Sequence, residues 1–366
     1  MPSGRCSPSR SNQQRYTRDV PIEHVTMANR LDHVRWGLIG AGDVAEHKGG
    51  PALYGVPHSS LTAVMSRRRE RAEDFARRHG ARRVYTSLED LLADEEIDAI
   101  YIATPPSTHT ELTVRTAEAG KHVLCEKPMA MSAAECVRMV EACRTNGVQL
   151  MIAYYRRFWP VVAKMKELVE AGAIGRVLRG RTAVADLYRP REDGERAWLT
   201  RADTAGGGFL TDVATHRLDL LCYFLGWPVE VSALVDTQHF EFDVDDASSL
   251  LIRFEDEVHA SGSFNWNVGA PADEFELWGT EGRLVSRNLG RGDLELYRGT
   301  RHQSFHLPAP PVTHLGLVAH YVDCLRSGVP NELPGEVGML ATCITDAAYR
   351  SAREGAPVRI TSPSLV

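Results

Sequence analysis

No apolar run in the chain approaches the roughly 18 residues that a bilayer-spanning helix needs, so no membrane partner is expected. A basic excess is also missing: 42 Lys and Arg stand against 48 Asp and Glu, a formal net charge of −6. Nucleic-acid binders neutralise phosphates with clustered cations, so nucleic acid is not an expected partner either. Cysteine is sparse at seven residues, with no Cys-x-x-Cys pair and no zinc-ligand spacing. That excludes a disulfide framework and a structural zinc centre, and no metal is expected. Cys136 and Cys143 lie seven apart on a helical stretch and read as core packing, which suits a reducing, cytoplasmic location. Internal repeats are absent. The first 26 residues are rich in Ser, Arg, Gln and Pro and lack the apolar segment of a secretory signal. Their Arg-rich, acid-poor character resembles a transit peptide. The reading preferred is a disordered arm over residues 1–32, or an extension upstream of a start at Met27.

What is present is globular. Hydrophobic residues make up 43% and charged residues 25%, and 366 residues exceed what one ordinary core accommodates, so two domains are expected. Short apolar runs at Val34–Ile39, Leu61–Met65, Val84–Tyr85, Asp98–Ala103, His122–Cys125 and Gln149–Tyr154 read as buried strands. Helical stretches separate most of them. One ends at Gly80; others open at Ser87, Thr108 and Ser132, each followed three residues later by Asp or Glu in a capping-box pattern. Strands alternating with helices imply right-handed crossovers and a doubly wound parallel sheet over residues 33–154. Beyond that the rhythm changes. A helix at Val161–Glu170, a strand at Val177–Leu187 and a helix at Val213–Leu225 precede strands at Val229–Val235, Ser248–Phe254, His259–Asn265, Glu274–Trp278, Arg283–Val285 and Leu294–Tyr297. Two final helices are expected near 313–327 and 335–353. Residues 155–366 therefore read as an α+β domain with a large, mostly antiparallel open sheet.

Gly40-Ala41-Gly42-Asp43-Val44-Ala45 fits G-x-G-x-x-A between the first strand and a helix, the context in which that pattern binds a dinucleotide. Gly40 permits the turn, Gly42 admits the pyrophosphate, and the backbone of Asp43 and Val44 completes the loop. NAD enzymes place Asp or Glu at the end of the second strand, on the ribose hydroxyls. Here the residues are Met65-Ser66-Arg67-Arg68-Arg69. A guanidinium pairs with a 2′-phosphate where a carboxylate repels it, so the pattern predicts NADP(H) bound by Ser66, Arg67 and Arg68, with NAD(H) as the alternative. Gly49, Gly50 and Pro51 follow too closely for an ordinary helix.

Three segments carry a family resemblance: Ala103-Thr104-Pro105-Pro106-Ser107-Thr108-His109, Glu126-Lys127-Pro128, and Gly206-Gly207-Gly208 with Asp212 and His216. In order, and over about residues 33–360, the chain resembles the Gfo/Idh/MocA oxidoreductases, with Gly279-Thr280-Glu281-Gly282 and Tyr349-Arg350-Ser351-Ala352 adding to the match. The run Glu46–Ala52 is similar to members likened to 1,5-anhydrofructose reductase. The resemblance implies a sugar, anhydro-sugar or cyclic polyol as substrate, and a homodimer or homotetramer formed through the C-terminal sheet. It implies a cofactor side that includes Thr104, Pro105, His109, Glu126 and Lys127, with Lys127 touching both substrate and nicotinamide ribose. A cis Lys127–Pro128 bond is implied as well.

The chemistry of these residues agrees with that expectation. Hydride transfer to a carbonyl develops an alkoxide that needs a cation and a proton. Lys127 follows a buried strand at the carboxyl edge of the sheet, where α/β ligands bind. Asp212 and His216 lie four apart, on one face of a helix, so they can converge; His216 can move a proton and Asp212 can bond a substrate hydroxyl or orient the imidazole. Lys127, His216 and Asp212 are thus the catalytic candidates. Tyr155 and Arg156 join Asp212 and His216 as substrate contacts, with Tyr155 also a candidate acid and Asp219 a candidate brace for His216. Trp266 reads as core before it reads as a sugar platform. Two rival readings remain: a glycosidase that uses transient oxidation by tightly held NAD, and a cofactor-sensing regulator without chemistry.

Overall fold

The computed structural model describes residues 31–188 and 196–361; the expected arm lies outside the described residues up to residue 30. Six short strands form the first sheet: β1 (Val34–Ile39), β2 (Ser59–Met65), β3 (Arg83–Tyr85), β4 (Ala99–Ile102), β5 (His122–Cys125) and β6 (Leu150–Ile152). Every pairing is parallel, in the order β3-β2-β1-β4-β5-β6. β4 is wholly buried and β5 buried beyond His122, as strands covered on both faces must be. The order reverses between β1 and β4, the place where such sheets open a ligand crevice.

Two of the three capping boxes form at their N-caps: the hydroxyls of Ser87 and Ser132 accept from the backbone N–H of Asp90 and Glu135, each at 3.3 Å. The third does not. Pro106–Thr108 is a 3₁₀ turn, and the Thr108 hydroxyl bonds Pro105 O at 2.9 Å instead of capping the helix His109–Glu118. The Gly49-Gly50-Pro51 run breaks the first helix as expected: Ala45–Gly49 is a π turn followed by a short helix Gly50–Gly55. A side chain at Gly49 would collide with the Tyr101 ring.

The second sheet has nine strands: β7 (Val177–Leu187), β8 (Pro228–Asp236), β9 (Ala247–Phe254), β10 (His259–Asn265), β11 (Asn267–Gly279), β12 (Arg283–Ser286), β13 (Asp293–Arg298), β14 (Arg301–His306) and β15 (Val358–Arg359). Their order is β14-β13-β12-β11-β7-β10-β9-β8-β15, antiparallel except for β10 against β7. β14 and β15 were not expected, and β11 is longer than the Glu274–Trp278 expectation. One face of this sheet packs on the helix Thr215–Leu225 and the 20-residue helix Gly335–Glu354; the other is open. The expected helix Val213–Leu225 is also interrupted: a short turn Phe209–Asp212 ends before Thr215–Leu225 begins.

The two lobes are not separate beads. The helix Leu315–Ser327, late in the chain, returns to the first sheet. There the buried Tyr321 hydroxyl lies 2.9 Å from Val123 O and 2.8 Å from Gln149 O, and its ring lies 6.0 Å from Trp36. No described helix is long and apolar enough to cross a membrane.

Candidate active site

The glycine loop is shaped for a dinucleotide. Gly40 has φ +99°, and a Cβ there would strike Ala103 O and Thr104. At Gly42 a Cβ would meet nothing within 4 Å, so the loop faces open space at the start of the helical turn through Asp43 and Val44. These residues fit a pyrophosphate, the group whose approach a glycine at that position permits. At the end of β2, Ser66 Oγ accepts from Arg68 N at 3.3 Å, and Arg67 and Arg68 are exposed. Thr104 bonds the Thr108 hydroxyl at 2.7 Å, and Pro105 leads into the 3₁₀ turn.

Two expected cofactor contacts face elsewhere. His109 is fully buried, its ring nitrogens 3.0 Å from Pro128 O and 2.8 Å from Thr104 O; burial lowers its pKa, and its ring braces the Lys127 segment with no face left for a nucleotide. Glu126 also points inward. Its Oε1 accepts from the Tyr101 hydroxyl at 2.6 Å and lies 2.9 Å from His314 Nε2, while Oε2 accepts from Lys127 N at 3.2 Å. Burial works against its charge, but the bonds from His314 and Tyr101 and the nearby Lys127 bring its pKa down to about 2. Glu126 is therefore an anionic anchor behind Lys127. The Lys127–Pro128 bond is cis, as the resemblance implies.

Lys127 reaches across to the second lobe. Its Nζ donates to Asp212 Oδ1 at 2.7 Å and to Asp212 O at 2.8 Å. The helix interruption explains the second bond: His216 N bonds Val213 O, so the carbonyl of Asp212 is released from the helical ladder. Lys127 Nζ and the Thr215 hydroxyl take it. Asp212 and His216 thus lie on either side of a break, and the expectation of one regular helix face is corrected. Burial opposes ionisation of Asp212, but the charge and bond of Lys127 hold its pKa below the usual carboxylate value.

His216 is 4% exposed, its Nδ1 buried without a hydrogen-bond partner among the described residues. The Tyr155 ring meets it edge-on at 4.8 Å. Burial, then the positive charges of Lys127, Arg156, Arg217 and Lys48, push the imidazole well below its ordinary pKa, so it is neutral at pH 7. Tyr155 also lies 4.3 Å from the His314 ring. Burial raises its phenol, yet the charges of Arg156, Lys48 and Lys127 outweigh this and its pKa falls.

The neighbours overturn one expectation and bear out another. Asp219 does not brace His216; it forms a fully buried ion pair with Arg157, closest at 2.6 Å. Trp266 is core, stacked on Tyr188 at 4.6 Å. His314, Tyr101, Arg217 and Asp273 belong to no motif. His314 stands 188 residues from Glu126, and no local spacing signals such a pairing.

Comparisons with known proteins agree with the fold. Oxidoreductase P35 of Formosa agariphila is 32% identical over 86% of this chain and 97% of its own length. The 1,5-anhydro-D-fructose reductase of Ensifer adhaerens is 33% identical over 70% of this chain and 76% of its own. The solved structure of a levoglucosan dehydrogenase in complex with NADH and levoglucosan superposes with a TM-score of 0.82 at 26% identity, covering 90% of this chain and 99% of that one. Residues 34–154 match the oxidoreductase family model with an NAD-binding Rossmann fold and residues 162–285 its C-terminal domain. On that match and on the shared architecture, the chain belongs to the Gfo/Idh/MocA oxidoreductase family.

Proposed function

We propose that this chain is an NADP(H)-preferring oxidoreductase acting on a carbonyl or secondary alcohol of a sugar, anhydro-sugar or cyclic polyol. The observation that carries the reading is the ion pair of Lys127, from the end of β5, with Asp212 of the other lobe, within electrostatic reach of His216. Gly40–Val44 would hold the nucleotide, which would supply the hydride chemistry at the carbinol carbon; the chain's own task is the proton on the adjacent oxygen. The Lys127 ammonium is placed to bond that oxygen in exchange for Asp212 Oδ1. Asp212, held ionised, can then accept from a neighbouring hydroxyl. Neutral His216 can take up a proton, and Lys127, His216 and Tyr155 share the candidacy for donor.

The test is fluorescence titration with NADPH and NADH, then turnover of a sugar and polyol panel with the tighter nucleotide. NADPH oxidation by a keto- or anhydro-sugar is expected; no turnover across the panel sinks the reading. Arg67→Asp is expected to weaken NADPH about ten- to a hundredfold, the range of a charge-assisted hydrogen bond, and NADH far less. Equal losses would remove the 2′-phosphate role of Arg67.

The open face of the second sheet supports an oligomer. Leu234 and Leu251 are 70% and 66% exposed, beside Arg179, Arg181 and Trp278 on the same face. The six described cysteines are buried and free, which suits a cytoplasmic protein. Light scattering on the native chain is expected to report a homodimer or homotetramer, and Leu251→Glu to shift it toward monomer. A monomeric native chain would overturn that part.

A further inference from the structure

Among the described residues, the cleft holds more positive charge than its own carboxylates match. Lys127 is paired with Asp212, and Arg217, 1% exposed, donates its Nε to Asp273 Oδ1 at 3.1 Å. Arg217 Nη1 has no hydrogen-bond partner among the described residues. Arg156 is less satisfied still. Its guanidinium lies 4.5 Å over the Trp159 ring and 5.8 Å from that of Tyr155, and its Nε and Nη1 are buried with no hydrogen-bond partner among the described residues. Asp273 is within electrostatic reach of both guanidiniums but bonds Arg217. Lys48 adds a further cation acting on Asp212, Tyr155 and His216. Glu126 offsets one of these charges from behind Lys127, which leaves the carboxylates of Asp212, Asp273 and Glu126 facing the cations of Lys48, Lys127, Arg156 and Arg217. Buried, unpaired guanidinium nitrogens are costly unless a ligand satisfies them. An oxidised nicotinamide would add positive charge to the cleft and so increase the imbalance.

We infer that the substrate is an anionic sugar or polyol derivative bearing a carboxylate, a uronic or aldonic acid, and that Arg156 receives that carboxylate. This rests on the oxidoreductase reading above. The planar fork of Arg156, set over the Trp159 ring, offers two edges, Nε with Nη2 and Nη1 with Nη2, each suited to two parallel bonds to a carboxylate, a geometry that lysine does not offer. A neutral sugar gives Arg156 hydroxyl acceptors but leaves the charge of the cleft unmatched.

The experiment is calorimetric titration of the NADPH-loaded protein with matched pairs: D-glucuronate against D-glucose, D-galacturonate against D-galactose, and D-gluconate against D-glucitol. At least one acid is expected to bind ten times or more tighter than its neutral partner, with the difference shrinking severalfold as salt rises from low to high. Arg156→Gln should cut the acid-to-neutral ratio to about threefold or less, and Arg156→Lys should retain an intermediate ratio. If Arg156→Gln fails to fold, the salt dependence of the native protein still decides. Three acids binding no better than their neutral partners would overturn the proposal, and so would D-glucose 6-phosphate binding more tightly than D-glucuronate. Turnover of neutral sugars without acid preference would sink the carboxylate alone and leave the oxidoreductase reading standing. Failure of both NADPH and NADH to bind would sink both.

Discussion

Lys127→Met is expected to lower kcat roughly a thousandfold, the scale set by losing a positioned acid and a charge at the developing alkoxide. The side chain sits at the junction of three constraints. Glu126 accepts its backbone N–H, the turn after β5 aims it across the cleft, and Asp212 holds its ammonium at 2.7 Å. Methionine keeps the length and removes the charge, so nucleotide affinity should change by no more than about threefold while turnover collapses. The check is kcat on the best panel substrate, with NADPH titration and a thermal melt of the same preparation. Because Asp212 would keep Arg196 at 3.6 Å, the variant is expected to fold. Activity within tenfold of the native value would remove Lys127 from the chemistry.

Arg157→Leu carries the second large expectation: a loss of about 3–5 kcal/mol in stability, from leaving Asp219 buried without its partner. The pair is 2% exposed on each side, and Arg157 donates to both carboxylate oxygens of Asp219 and to Glu332 O. Replacing both residues by leucine should recover most of the loss, because two apolar side chains leave no uncompensated charge. Urea midpoints for the native, single and double variants measure this, and a single variant within about 1 kcal/mol of native would refute the argument. The pair also ties the turn bearing Tyr155 and Arg156 to the helix bearing His216. Activity should therefore fall in the single variant even where it remains folded.

Much of the first lobe could be read from residues alone, because its cues are local. Continuous apolar runs marked β1, β4 and β5, Gly80 closed a helix, and Ser87 and Ser132 opened two. Local cues also misled. Thr108 has the capping pattern, but the prolines before it start a tighter turn that claims its hydroxyl. β14 was invisible because Arg301–His306 is an edge strand with almost no buried residue, and β15 spans only two. In the site, Lys127, Asp212 and His216 were found through motif and resemblance. The break between Asp212 and His216 was not, because nothing in the intervening residues marks it, and the carbonyl it frees is taken by Lys127, 85 residues away. The inward turn of Glu126 depends on Tyr101 and on His314, which nothing near residue 126 could announce.

The return of the helix Leu315–Ser327 to the first sheet bears on how the nucleotide module can be transplanted. Tyr321 ties β5 to the strand beside it, and His314 supplies one of the bonds that keep Glu126 charged behind Lys127. A cassette cut after β6 would leave Trp36 without its aromatic neighbour and Lys127 without its anchor's partner. Any chimera joining this sheet to a foreign catalytic lobe must carry residues 314–327 along as part of the graft.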